Sequence, residues 1–234
     1  MELKNKVAVV TGVSKGIGES LCRQLLAEGC TVFGLGRNNF DCQDANYHFI
    51  PTDVRSVNEV DNAFKVIMEK ANGHIHILIN NAGLGFFGNV EELPLDEWDQ
   101  MWQTNVNGMF YCTRLAVPVM KQQQYGHIIN IASTAGLEGM PMVSGYCATK
   151  WAVKGFSESI WRELRDFKIK VTCVYPGSVK TDFFRNSPNI KPHDYMLMPE
   201  DVAGMMLYAL KTPDNFHQVN LEVRPLQPKG PKTS

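Results

Sequence analysis

Tyr146 and Lys150 stand four residues apart in the stretch YCATK, where apolar residues begin to recur at helical spacing through Leu164. Residues i and i+4 share a helix face, so the phenol and the ammonium point the same way. A phenol ionises near pH ~10 in water. A fixed positive charge beside it favours phenolate and brings its proton within reach of chemistry near neutral pH. Taken alone, such a pair is more often plain helix surface. Its meaning depends on what the rest of the chain brings to it.

A second chemical signature is TGVSKGIG, residues 11–18, directly after the β-branched run KVAVVT. Gly12, Gly16 and Gly18 allow a tight turn, close backbone approach to a pyrophosphate, and a helix whose amino terminus faces the anion. Ser14, Lys15 and Ile17 complete that turn. A dinucleotide site normally also has an acid about twenty residues further on, for the ribose 2′-hydroxyl. Here the second strand ends Leu35-Gly36-Arg37-Asn38, with no carboxylate before Asp41. Arginine suits a 2′-phosphate and Lys15 can add a second positive charge, so the pattern favours NADP over NAD.

These residues need a scaffold, and the pattern along the chain provides one. Strands are expected at residues 6–11, 31–36, 47–53, 76–80, 127–133, 170–176 and 220–223. Helices are expected from Ile17 to Ala27 and from an N-cap at Ser56, with Glu59 in the capping-box position, to about Ala71. A long helical segment follows from Asp96 to about Met120, its last turn bent at Pro118, and another runs from YCATK to Phe167. Short strands alternating with longer helices predict βαβ units: an α/β chain with a doubly wound, mostly parallel sheet of about seven strands, helices on both faces. The whole of 1–234 reads as a single Rossmann-type domain, with a dinucleotide-binding half to about residue 83, a catalytic and substrate half over 84–224, and a loose tail over 225–234.

Composition excludes several partners. A formal net charge of -1 gives no electrostatic footprint for nucleic acid, and no basic cluster suggests a membrane surface. The apolar runs are strand-length, too short to span a bilayer, and the charged opening MELKNK does not resemble a secretory signal. Six scattered cysteines without a CxxC pair suit reduced thiols in a cytoplasmic protein rather than disulfides or zinc. His74 and His76 lack a third ligand nearby, so no metal is expected.

Taken in order, TGVSKGIG, Asp53, NNAG at 80–83, Asn105, Ser133, YCATK and Pro176-Gly177 resemble the short-chain dehydrogenase/reductases over about residues 5–185. The resemblance implies that Asn105, Ser133, Tyr146 and Lys150 are the catalytic four. It further implies that Asp53 and Val54 contact the adenine, and that Asn81, Ala82 and Gly83 line the adenosine-side ribose. Pro176, Gly177, Val179 and Thr181 would hold the nicotinamide, and Lys150 would also bond the nicotinamide ribose. On this reading Ser133 holds a carbonyl, Tyr146 is the general acid or base, Lys150 lowers the tyrosine's pKa, and Asn105 connects Lys150 to solvent through a water. The expected activity is NADP-dependent interconversion of a carbonyl and an alcohol by hydride transfer. The compact ending NLEVRPLQP, and the brief stretch between Thr181 and Pro199, depart from the family's longer substrate segment and obscure the substrate.

Phe86, Phe87, Met140, Met142, Phe183, Phe184, Met196 and Met198 fall in loops expected to overhang the site, suggesting an apolar, adaptable pocket for a small ketone, aldehyde or 3-oxo/3-hydroxy compound. Glu138 reads as solvent-exposed, and Cys147 as a packed thiol. Trp98, Trp102, Trp151 and Trp161 lie on the helices the family uses for subunit contact, which points to a homodimer or homotetramer. Two other functions stay open. A catalytically silent redox sensor would not need a proton donor, and a sugar-nucleotide epimerase or dehydratase would need a larger substrate region.

Overall fold

Val7–Thr11 forms strand β1, buried along its whole length. Its side chains alternate between two cores: Ala8 and Val10 face one, Val7 and Val9 the other. A strand covered on both faces reads as a continuous apolar run, which is why KVAVVT shows no polar alternation. The computed structural model describes residues 2–183 and 193–228. Phe184 and the tail residues 229–234 lie outside them.

The remaining strands are β2 (Thr31–Gly36), β3 (Tyr47–Pro51), β4 (Ile77–Asn80), β5 (Gly126–Ile131), β6 (Ile169–Pro176) and β7 (Asn220–Val223). All pair in parallel, in the order β3-β2-β1-β4-β5-β6-β7. This is the Rossmann-like doubly wound sheet expected from the alternation. The chain moves outward from β1 to β3, then returns to lay β4 on the other side of β1. That reversal opens a crevice at the carboxyl ends of β1 and β4, where ligands of such sheets bind.

Helices α1 (Gly16–Ala27) and α6 (Pro199–Lys211) cover one face, through Leu21, Leu25, Val202, Met206 and Leu210. Helices α2 (Val57–Lys70), α4 (Met109–Gln123) and α5 (Ser144–Leu164) cover the other, with Val60, Phe64, Ile67, Ala116, Met120, Ile160 and Leu164. Each fully buried side chain of this size contributes roughly 1.5–3 kcal/mol, so the two cores account for most of the driving force.

The structure departs from the sequence reading in four places. Helix α6 was not anticipated, although Pro199 at its first turn, with Glu200 and Asp201 beside it, is a helix-start signal. Ser56 does cap α2, accepting from Glu59 N–H at 3.3 Å, but Glu59 Oε2 reaches past Ser56 to Asp53 N–H at 2.8 Å. The capping box is thus opened to secure the turn that carries Asp53. The segment expected as one helix from Asp96 is instead α3 (Leu95–Trp102), a π-helical turn over Gln103–Gly108, and α4, which continues past Pro118 to Gln123. Finally, β5 stops at Ile131, so Ser133 lies beyond the strand and caps a short 3₁₀ turn, Thr134–Gly136.

The opposite end of the sheet carries one buried imidazole, His127, and two half-buried ones, His76 and His217. His76 Nδ1 accepts from Val7 N–H at 3.0 Å, and burial pushes its pKa down to about 4. Burial likewise holds His127, whose Nε2 lies 2.8 Å from Thr172 Oγ1, well below the ordinary range, and lowers His217. An unfolded imidazole titrates near ~6.5, so below that pH the unfolded chain binds protons that the fold excludes. Stability is therefore complete above about pH 6.5 and falls with pH, by up to ~1.4 kcal/mol per unit for each such histidine. Urea midpoints should drop steadily from about pH 7 to pH 5. A midpoint that stayed level over that window would contradict this account.

Candidate active site

Thr11 and Asn81 join the two strand ends that form the crevice. Thr11 Oγ1 accepts from the N–H groups of Asn81 and Ala82, each at 3.0 Å, while Asn81 Nδ2 donates to Thr11 O at 2.9 Å and Gly12 O at 3.0 Å. The first loop turns at Gly12, with φ +72°, where an added Cβ would lie 2.7 Å from Ala82 Cα. Only glycine meets both demands. A Cβ on Gly18 would strike Gly12 O and the Asn81 amide, so this glycine lets helix and turn close on each other.

A cavity of about 560 Å³ fills the crevice. Gly12, Ser14, Lys15, Gly16 and Ile17 line it from the glycine turn, and Asn81, Ala82 and Gly83 from the end of β4. Gly18 stands behind that wall and does not line it. Arg37 enters from the end of β2, and Asp53 and Val54 from beyond β3. Arg55, which the sequence reading passed over, also lines the cavity and grips Asp53: its Nε lies 3.0 Å from both carboxylate oxygens and its Nη2 2.6 Å from one. Hydrogen bonding to Arg55, with a further contribution from Arg37, holds the Asp53 carboxyl below its ordinary range. Lys15 is in an exposed ion pair with Asp182 at 2.7 Å, which connects the glycine turn to the segment after β6.

Pro176, Gly177, Val179 and Thr181 line the opposite wall. Gly177 N–H is fixed on Val223 O at 2.8 Å, and Val179 bridges to Leu197. The cavity therefore gathers every cofactor residue read from the sequence except Gly18.

Ser133, Tyr146 and Lys150 converge on the cavity between these walls. Tyr146 is only 7 % exposed, and burial pushes its phenol above the ordinary range, while a hydrogen bond with Ser133 pulls it back. Lys150 Nζ lies 5.6 Å from the centre of the Tyr146 ring and donates to Ile131 O at 2.8 Å. Burial pushes the Lys150 ammonium down to about 8. The shared helix face is as expected, but the expected lowering of the phenol by the ammonium is not found: burial raises the phenol, and the group that lowers it is Ser133.

Asn105 is 3 % exposed, sits in the π-helical turn and does not line the cavity. Its Oδ1 accepts from Leu84 N–H at 2.9 Å; its Nδ2 donates to Leu84 O at 2.9 Å and to Thr149 Oγ1 at 3.0 Å. Thr149 in turn donates to Tyr146 O at 2.8 Å. Asn105 thereby connects the Leu84–Phe87 loop to the helix bearing Tyr146. Thr149, one of the three residues between the two expected catalytic positions, was also missed.

At one end the cavity is apolar. Phe86, Phe87, Met140, Val143 and Phe183 line it, and the rings of Phe183 and Phe87 lie 5.4 and 6.0 Å from that of Tyr146. Met142, Met196 and Met198 do not: Met196 is buried elsewhere and Met198 is exposed ahead of α6. Glu138 is exposed and pairs with Arg224 at 2.9 Å. Cys147 is a packed thiol 3.7 Å from Glu138 O.

A model of the short chain dehydrogenase family matches residues 6–191. An uncharacterized oxidoreductase of Staphylococcus aureus (strain USA300) is 36% identical over 232 residues, covering 96% of this chain and 99% of its own. Among solved structures, the closed form of a serine dehydrogenase complexed with NADP+ superposes with TM-score 0.85 at 28% identity, covering 94% of this chain and 95% of that one. The 3-ketoacyl-(acyl-carrier-protein) reductase of Brucella melitensis, complexed with NADH, does so with TM-score 0.86 at 26% identity, covering 97% and 99%. A sheet of this order, a glycine turn at its switch point, and a serine, tyrosine and lysine converging on one cavity agree with these likenesses: the chain belongs to the short chain dehydrogenases, a family of oxidoreductases.

Proposed function

We propose that this protein interconverts a carbonyl and an alcohol with NADP(H). The observation that carries the reading is the meeting of Ser133, Tyr146 and Lys150 in one cavity, with the phenol buried. Bound in this cavity, the dinucleotide supplies or accepts the hydride. Ser133 holds the carbonyl oxygen through its hydroxyl, where negative charge develops. Tyr146 gives its proton to that oxygen in reduction and takes one in oxidation. A phenol kept protonated by burial suits the acid role, and a nearby ammonium favours the phenolate left behind. Lys150 also bonds the nicotinamide ribose, and a water connects it to solvent near Asn105.

The preference for NADP rests on Arg37 at the end of β2, with Lys15 as second cation once it exchanges Asp182 for a phosphate. Asp53 and Val54 take the adenine, Asn81 to Gly83 the adenosine-side ribose, and Pro176, Gly177, Val179 and Thr181 the nicotinamide. The apolar end, with Phe86, Phe87 and Phe183, suits a small apolar ketone, aldehyde or 3-oxo/3-hydroxy compound. Trp98 and Trp151, 37% and 46% exposed on α3 and α5, suit a homodimer or homotetramer interface. Six free cysteines suit a reducing compartment such as the cytoplasm. No helix among the described residues is long and apolar enough to cross a membrane.

A panel of aldehydes, diketones, 3-oxo esters, 3-hydroxy acids and hydroxysteroids, followed by NADPH absorbance, tests the reading. Cofactor consumption with at least one apolar carbonyl is expected; inertness to the whole panel despite tight NADPH binding would overturn it.

A further inference from the structure

Two half-buried rings, Phe87 and Phe183, stand against the Tyr146 phenol from separate parts of the chain. Phe87 follows β4 and Phe183 follows β6, yet their centres are 6.3 Å apart and their planes cross at 77°. Each ring is also tilted against Tyr146, by 58° and 54° respectively. Gly85 makes that convergence possible. A Cβ there would lie 2.9 Å from Phe183 Cζ and 3.1 Å from Phe87 Cζ, so a side chain would push both rings away.

The loop that carries Phe87 is held at successive points. Asn105 brackets Leu84, accepting from its N–H and donating to its carbonyl, each at 2.9 Å. Phe86 N–H donates to the buried Met101 Sδ at 3.4 Å, and Gly88 N–H donates to Met142 O at 2.9 Å. Bonds on both sides of Phe87 fix its backbone, so this wall is in place before a substrate arrives and little ordering is left to be done on binding. An aromatic group gains more from such a wall than a saturated one of equal size. Tilted and edge-to-face ring pairs contribute beyond the area they bury, and rings inclined to one another offer an incoming flat group a face and an edge together.

We propose that the substrates are carbonyl compounds with an aromatic ring close to the carbonyl, the ring seated on the Phe87–Phe183 pair and the carbonyl at Tyr146. The proposal rests on the hydride-transfer reading above and narrows its substrate. The carbonyl carbon takes a hydride from NADPH and its oxygen takes the Tyr146 proton, giving the aryl-bearing alcohol and NADP+. Phe87 and Phe183 both line the cavity and are only half-buried, so each keeps surface that a substrate can cover.

The test compares phenylacetone with cyclohexylacetone. The two ketones share a carbon skeleton, and in both a methylene insulates the carbonyl from the ring, so their inherent reactivities are close. The unmodified protein should show a kcat/KM for phenylacetone about two- to ten-fold higher, the usual gain of an aromatic pair beyond burial. Phe87→Leu and Phe183→Leu should each bring that ratio toward one, whereas Phe87→Tyr and Phe183→Tyr should retain it. Both ketones are measured on one enzyme sample, so partial unfolding of a variant cancels from the ratio. A ratio of one or less in the unmodified protein, or an undiminished ratio in either leucine variant, would overturn the proposal. Turnover of other carbonyls of the panel with neither ketone reduced would do the same, and in each of these cases the hydride-transfer reading stands. Inertness to every carbonyl despite tight NADPH binding would overturn that reading, and this proposal with it.

Discussion

Tyr146→Phe should lower the carbonyl-reduction rate by about 10²–10⁴-fold, the usual contribution of a positioned general acid. NADPH affinity should stay close to that of the unmodified protein. The substitution keeps the ring and its contacts with Phe87 and Phe183, so the pocket wall survives and only the hydroxyl is lost. A variant that kept more than about a tenth of the rate would fall outside the range for general acid catalysis and would point to another acid.

Arg37→Asp should reverse the cofactor preference. The native residue stands in the cavity at the end of β2, where a guanidinium suits a 2′-phosphate and a carboxylate suits a 2′-hydroxyl. A charge-assisted hydrogen bond contributes ~1.5–3 kcal/mol, toward the lower end at an exposed position. NADPH binding should therefore weaken by about ten-fold or more, with repulsion between aspartate and phosphate adding to the loss, while NADH binding improves. Calorimetry on both proteins with both cofactors decides this. Equal affinity for NADPH and NADH in the unmodified protein would remove the basis for assigning Arg37. The neighbouring Arg55 is a natural control, since its guanidinium is already engaged by Asp53.

Much of the fold could be read from the chain because parallel strands buried on both faces are short apolar runs, and their spacing sets the rest. The placement of the candidate catalytic pair was readable for a related reason. Tyr146 and Lys150 share a turn of one helix, so sequence distance alone fixes their mutual placement. What that distance could not convey was burial, and burial decides the protonation behaviour of both groups. The π-helical turn was invisible because a single widened turn inside a long helical segment has no residue-type signature of its own. Arg55 and Thr149 were missed because their importance lies in partners, Asp53 and Asn105, that no periodicity marks. Helix α6 was within reach: Pro199 followed by two acids is a start signal, and Val202, Met206 and Leu210 recur at helical spacing.

The central claim is that a hydride passes between NADP(H) and a carbonyl held at Ser133 and Tyr146. It is tested most directly by isotope transfer. NADPH deuterated at the transferring position of the nicotinamide is incubated with an apolar aldehyde or ketone, and the product is analysed by mass spectrometry. The account predicts an alcohol with one deuterium at the former carbonyl carbon, formed by the unmodified protein and suppressed in Tyr146→Phe. Tight NADPH binding with no deuterium in any product across the carbonyl panel would contradict it, and would make the protein a dinucleotide-binding sensor instead.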